Sequence, residues 1–208
     1  MQIIVLCGQE QKAELLSKQK SQNVSIHFLN DCDDLTNYQN PDAFFILKNA
    51  MTFLKTHSIN KQPVFINSVI ETLDDLNLSG NISRLNGWPT FLQRDTWEIA
   101  TRDQVLVKKI FETIGWKYLI VPDEPGLIAA RIVAMIINEA YFALQDDVSS
   151  KDQIDLAMKL GTNYPYGPFE WSEKIGLHNI HNLLTKLNKT DPRYHLAAII
   201  EKEVNRQK

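Results

Sequence analysis

Side chains able to carry protons or bind anions are few in this chain, and their spacing limits the chemistry open to it. The histidines are His27, His57, His178, His181 and His195. His178 and His181 stand three apart, which places both imidazoles on one helix face, as a metal-binding pair would be. No third ligand stands near them, and Asn179 and Asn182 give the same face a plainly polar character, so a surface helix is the competing reading. His27 and His57 fall among short strands and read as partly exposed surface residues, and His195 belongs to an amphipathic last helix. Cys7 and Cys32 are too few for a disulfide framework or a zinc site, which fits a reducing compartment. Glu98, beside Trp97 at a strand end, reads as a catalyst only if a base stands with it; otherwise it is a surface or ion-paired carboxylate.

A phosphate-binding turn is the other chemistry to look for. The apolar run Ile3-Ile4-Val5-Leu6-Cys7 ends at Gly8, where a strand passing into a helix would meet a dinucleotide. Such a turn needs further glycines, so that the backbone can approach the pyrophosphate closely. After Gly8 the next glycine is Gly80, and Glu10 and Ala13 occupy the positions where the other two would fall. A Cβ at both positions and an anion at one would crowd and repel a diphosphate, so Gly8 is the single cofactor-binding candidate left.

The elements that must position these residues follow from periodicity. Residues 3–7, 24–29, 42–47 and 63–67 are short apolar runs that suit buried parallel strands, with a helix from Gln11 to Lys20 between the first two. Strands alternating with short helices predict a reduced parallel α/β sheet, in which the second and third strands can lack a full crossover helix.

Beyond Pro122 the pattern turns helical. Pro125-Gly126 precedes a stretch without Pro or Gly as far as Ser150, predicting a helix over about Leu127–Leu144 that is apolar nearly all round and so buried. Arg131, Asn138 and Glu139 in its middle argue against a membrane span. Ser150 with Gln153 forms a capping box for a second helix, which Gly161 is placed to end. Tyr164-Pro165-Tyr166-Gly167-Pro168 then makes a rigid elbow, and a last helix is expected from Arg193 to about Arg206. Trp88, Trp97, Trp116 and Trp171 are expected as core or interface anchors.

Composition excludes several classes. With 44% hydrophobic and 23% charged residues the chain is globular. A net charge of -3 without a basic cluster argues against nucleic acid as a partner, and the five-residue apolar run near the N-terminus, lacking a basic flank, reads as no secretory signal. A cytoplasmic protein that does not engage a membrane is the expectation.

Between Glu124 and Leu187 stand PGLIAARIV from Pro125, Asn138-Glu139-Ala140, the spacing of Asp155, Ala157-Met158 and Gly161, YPYGPFE from Tyr164, and Gly176-Leu177. Through these residues the stretch resembles the C-terminal helical domain of the 3-hydroxyacyl-CoA dehydrogenases. Upstream, Phe65-Ile66-Asn67-Ser68, Arg84 to Phe91, Trp97 to Ala100 and Gly115 to Val121 resemble the second half of that family's NAD-binding domain. The resemblance implies α/β plus all-α: a reduced Rossmann-like parallel sheet domain over 1–122, then a helical domain over 123–208. In complete members the helical domain implies a homodimer interface and one wall of an acyl-CoA site.

The family chemistry needs a histidine base, held by a carboxylate, to take a hydroxyl proton while hydride leaves to NAD. Carried over residue by residue, the carboxylate falls on Glu98 and the histidine on or beside Pro89, which accepts no proton. The family's positioning amide falls on Ala130, and Asn67, Ser68 and Arg131 remain as candidate substrate contacts. In the helix Arg131 also reads as a partner of Glu139 or of a second copy. The expectation is a catalytically degenerate relative in fatty-acid and acyl-CoA metabolism, an acyl-CoA-binding or dimerisation module. Two alternatives stand beside it: an active NAD-dependent oxidoreductase with an atypical site, and a structural subunit paired with a complete homologue.

Overall fold

The computed structural model describes residues 1–32, 34–35, 38, 40–56, 62–78 and 80–206. Two compact units divide the chain, Met1–Leu127 and Ile128–Lys208. The first holds seven strands: β1 Gln2–Leu6, β2 Ser25–Leu29, β3 Ala43–Ile46, β4 Val64–Asn67, β5 Ile82–Leu85, β6 Thr96–Ala100 and β7 Lys117–Ile120. Its helices are α1 Gln9–Leu16, α2 Ala50–Thr56 and α3 Gln104–Ile114.

The strands form one sheet in the order β2-β1-β3-β4-β5-β6-β7. β1 to β5 are mutually parallel, β6 is antiparallel to β5, and β7 runs parallel with β6. Both faces are covered, which is why the strands read as unbroken apolar runs. Ile3, Val5 and Cys7 join one core with Phe65, Phe111 and Trp116, while Ile4 and Leu6 face the other core with Phe53, Val64 and Ile66. The four Trp expected as anchors are each at most 5% exposed. No α-helix joins β2 to β3 among the described residues, as the short spacing had implied.

Order along the sheet locates the place where a ligand would sit. From β1 the chain goes to β2 on one side and then to β3 on the other, so the carboxyl ends of β1 and β3 form the switch point at which doubly wound sheets bind nucleotides.

The second unit holds α4 Ala129–Gln145, α5 Lys151–Thr162, α6 Pro168–Ile175, α7 Leu177–Asn188 and α8 Ala198–Arg206. α4 begins two residues later than expected because Gly126 and Leu127 both take left-handed backbone, with φ of 81° and 50°. Gly126 N–H is held instead by Val69 O at 2.7 Å, so the stretch before α4 lies against the connection after β4. α5 starts at the Ser150 capping box but runs through Gly161, and Asn163 at φ 55° takes the left-handed end. α8 starts later than expected, because Asp191 caps a separate 3-10 turn, Pro192–Tyr194. α4 is also less uniformly buried than its composition suggests. Val133, Ile137 and Tyr141 are buried, but Ile128 and Ile132 are 43% and 56% exposed.

The elbow before α6 has a steric origin. Asp155 on α5 is buried and accepts the N–H groups of Phe169 and Glu170 at 2.8 and 3.0 Å, capping the start of α6. Gly167 lies so close that an added Cβ would sit 2.3 Å from the Asp155 carboxyl carbon. Gly167→Ala is therefore expected to lower the melting temperature, at about 1–3 kcal/mol, whereas Gly161→Ala, where a Cβ meets open space, should be neutral or stabilising in the same calorimetric comparison.

Candidate functional site

At the switch point Gly8 ends β1 and precedes α1. Its backbone is extended, φ -79°, and a Cβ added there would meet only Gln11 Oε1, at 3.7 Å. Gly8 N–H, the kind of group a helix start offers to phosphate, donates to Gln11 Oε1 at 2.9 Å. The other end of the Gln11 amide donates to Leu47 O beyond β3 at 3.1 Å and to Gly87 O beyond β5 at 2.7 Å. Gln11 is buried as a result.

Asn67, a candidate substrate contact at the end of β4, joins the same network. Its Nδ2 donates to Leu47 O at 3.1 Å and its Oδ1 accepts Gly87 N–H at 3.0 Å. Gly87 must be glycine for this, since a Cβ there would fall 2.9 Å from the Asn67 side chain. Two amides thus tie together the carboxyl ends of β1, β3, β4 and the exit of β5. Ser68, the next candidate, turns its hydroxyl to Glu71 O at 2.7 Å, while its carbonyl accepts Arg84 Nη1 at 3.0 Å.

The segment where the family histidine falls is a turn. β5 ends at Leu85, and residues 88–94 form bends and turns closed by bonds such as Phe91 N–H to Trp88 O. Thr90 takes φ 78°, which a β-branched side chain rarely tolerates. A carboxylate from α1 holds it there: Glu14 accepts Thr90 N–H at 2.6 Å and Gln93 N–H at 3.1 Å. The Asn86 Nδ2 and Thr90 Oγ1 atoms are buried with no hydrogen-bond partner among the described residues. The turn therefore combines a strained backbone with unsatisfied polar atoms, where local rules most often yield to function.

Glu98 sits half-buried on β6, on the face opposite buried Trp97. Its charge supports Arg94, whose guanidinium lies 4.2 Å from the Phe91 ring centre and is pulled down from the usual arginine range, chiefly by burial. Arg131 lies in the helical unit, half-buried, 6.0 Å from the Tyr194 ring centre. Ala130 is fully buried and presents no polar side chain.

The remaining histidines are engaged in ordinary contacts. His178 Nε2 and His181 Nδ1 lie 3.0 and 3.1 Å from the Asn182 amide, with the two rings stacked. His27 packs on Tyr38 and His195 on Phe142, whereas His57 lies outside the described residues. Among the described residues no group of three or more His, Cys, Asp or Glu is placed to hold a metal, and no helix is long and apolar enough to cross a membrane.

Gln11, Glu14 and Arg84 escaped the sequence reading. Gln11 returns to the Gly8 N–H three residues back, but glycine has no side chain to complete a capping box, so the sequence carries no Ser/Thr signature that marks it.

A parallel-dominated sheet unit followed by a helical unit is the architecture of the 3-hydroxyacyl-CoA dehydrogenases. The (S)-3-hydroxybutyryl-CoA dehydrogenase of Ralstonia eutropha superposes with a TM-score of 0.69 over 99% of this chain and 93% of its own, at 18% identity. Residues 126–208, which take in the whole helical unit, match the family model described as 3-hydroxyacyl-CoA dehydrogenase, C-terminal domain. The chain is 51% identical over 88 residues to 3-hydroxyadipyl-CoA dehydrogenase of Escherichia coli K12, a match covering 41% of this chain and 18% of that protein. It is 33% identical over 110 residues to 3-hydroxybutyryl-CoA dehydrogenase of Bradyrhizobium diazoefficiens, covering 51% and 38%. The chain thus spans well under half the length of these curated relatives.

Glu14→Ala removes the acceptor of two backbone N–H groups, and a loss of about 1–3 kcal/mol is expected. Urea unfolding, with the emission of Trp88 resolved by comparison with a Trp88→Phe background, should show the turn loosening first.

Proposed function

We propose that this chain is a relative of the 3-hydroxyacyl-CoA dehydrogenases that has given up hydride transfer and serves acyl-CoA metabolism in the cytoplasm as an acyl-CoA-binding or dimerisation module. One observation carries the reading. On or beside Pro89, in a turn whose backbone is clamped by Glu14, the resemblance puts the general base, and proline accepts no proton. Without a base at that place the family's route, hydroxyl-proton removal coupled to hydride loss, is not supplied. Acyl-CoA as ligand class is supported by the helical unit's family and by the names of its relatives, which act on 3-hydroxyadipyl-CoA and 3-hydroxybutyryl-CoA.

The test pairs binding with turnover. Acetoacetyl-CoA at 100 times its dissociation constant is expected to stabilise the protein by about 2.7 kcal/mol, read as a thermal shift. No NADH consumption should accompany it, in the natural chain or in Pro89→His. Steady acetoacetyl-CoA reduction by the unaltered protein would overturn this reading in favour of an active oxidoreductase with an atypical site.

A homodimer through the helical unit is supported by a separate observation. Ile132 on α4 is exposed beside half-buried Met135 and Ile136. Ile132→Glu, already exposed in the single chain, should fold normally yet sediment as a monomer where the unaltered protein sediments as a dimer. A monomeric unaltered protein would remove the dimer from the proposal.

A further inference from the structure

We propose that Gln11 is an internal occupant of the switch-point crevice, the residue that excludes dinucleotides from this sheet. A nucleotide entering between the carboxyl ends of β1 and β3 would use the Gly8 N–H at the turn into α1 and the space between Leu47 and Gly87. Gln11 takes both. Gln11 Oε1 uses Gly8 N–H, as a phosphate oxygen would, and Gln11 Nε2 spans Leu47 O and Gly87 O, so the amide bridges the crevice from one wall to the other. Asn67 doubles the closure by bonding the same Leu47 carbonyl and the Gly87 N–H.

The energetics favour the occupant over a guest. A displaced Gln11 would leave Gly87 O and the Gly8 N–H without this partner and Leu47 O with Asn67 alone, and phosphate oxygens cannot donate to carbonyls. Leu47 O and Gly87 O would instead repel a diphosphate, and the Glu10 carboxylate in the first turn of α1 would add to the repulsion. The glycine at Gly8 does not reopen the site, since its extended backbone is one that any residue adopts. This inference deepens the functional reading above, resting on it only in that both exclude hydride transfer to a bound nicotinamide.

The decisive comparison is NADH titration of the full chain in three forms: unaltered, Gln11→Ala and Gln11→Met. Methionine keeps the bulk of the side chain, so the unaltered protein and Gln11→Met should both show no saturable fluorescence change. Gln11→Ala empties the crevice and should bind at least about tenfold more tightly, the ratio that corresponds to 1.4 kcal/mol. Equal NADH affinity in the unaltered protein and Gln11→Ala would overturn the proposal, as would a folded Gln11→Ala no better than Gln11→Met. Should Gln11→Ala fail to fold, hydrogen exchange at Gly8 in the unaltered protein decides instead. An N–H held by Gln11 exchanges slowly, and exchange at the rate of an open helix start would overturn the assignment. Acetoacetyl-CoA is titrated into the same preparations. A Gln11→Ala gain for NADH without any acetoacetyl-CoA shift would sink the acyl-CoA reading and leave the occupant in place.

Discussion

A fully buried arginine holds the sheet unit's exit together. Arg84 on β5 has no exposed surface, and an unpaired charge in that position would be strongly unfavourable. It is stable because two segments supply three acceptors: the Ser68 carbonyl after β4, and the Asp123 carboxylate with the neighbouring Glu124 carbonyl at 2.6 Å. Asp123 accepts Leu73 N–H at 2.8 Å as well, so one carboxylate fixes the connection after β4 and the guanidinium together. The path from β7 to Leu127 is therefore set by electrostatics inside the sheet unit, where Leu127 packs with Ala100 and Val121. Loss of either charge of such a pair strands the other at about 3–5 kcal/mol, enough to matter against the marginal stability of a domain.

From this anchor the carboxyl edge of the sheet is closed step by step. Arg84 sets β5, Gly87 follows it, and Gln11 and Asn67 spend the backbone groups that an open doubly wound sheet leaves for a ligand. Glu14, one turn further along α1, then fixes the strained turn at Thr90. The same helix thus closes the crevice with an amide and clamps the neighbouring turn with a carboxylate. Both residues act on backbone, so neither needs a reactive partner to explain its place.

What the sequence disclosed and what it hid divide along physical lines. β1 to β4 were legible to within a residue because alternation against two covered faces leaves an apolar run, and the Ser150 cap was legible because its partners lie three residues apart. The helix ends at Asn163 and before Ala129 were not, since left-handed Asn and Leu break the rule that assigns such positions to glycine. Of the candidate site residues, Asn67 stands in the network at the switch point, but its amide is committed to Leu47 and Gly87. Gln11, Glu14 and Arg84 were hidden because their bonds span 36 to 76, 76 to 79 and 16 to 40 residues, separations at which no periodic pattern survives.

Fold and chemistry drift at different rates for the same reason. Seven strands with two apolar faces can be satisfied by many sequences, and here the architecture matches that of a dehydrogenase at 18% identity. A general base, a phosphate turn and an open crevice each need one residue type at one place, and a single side chain such as Gln11 can occupy what a cofactor would need. The helical unit is bound more tightly to its sequence, because Asp155 caps α6 through a space that only glycine leaves at position 167. Its likeness to the family therefore stays visible in short motifs, while the sheet unit keeps its shape at low identity.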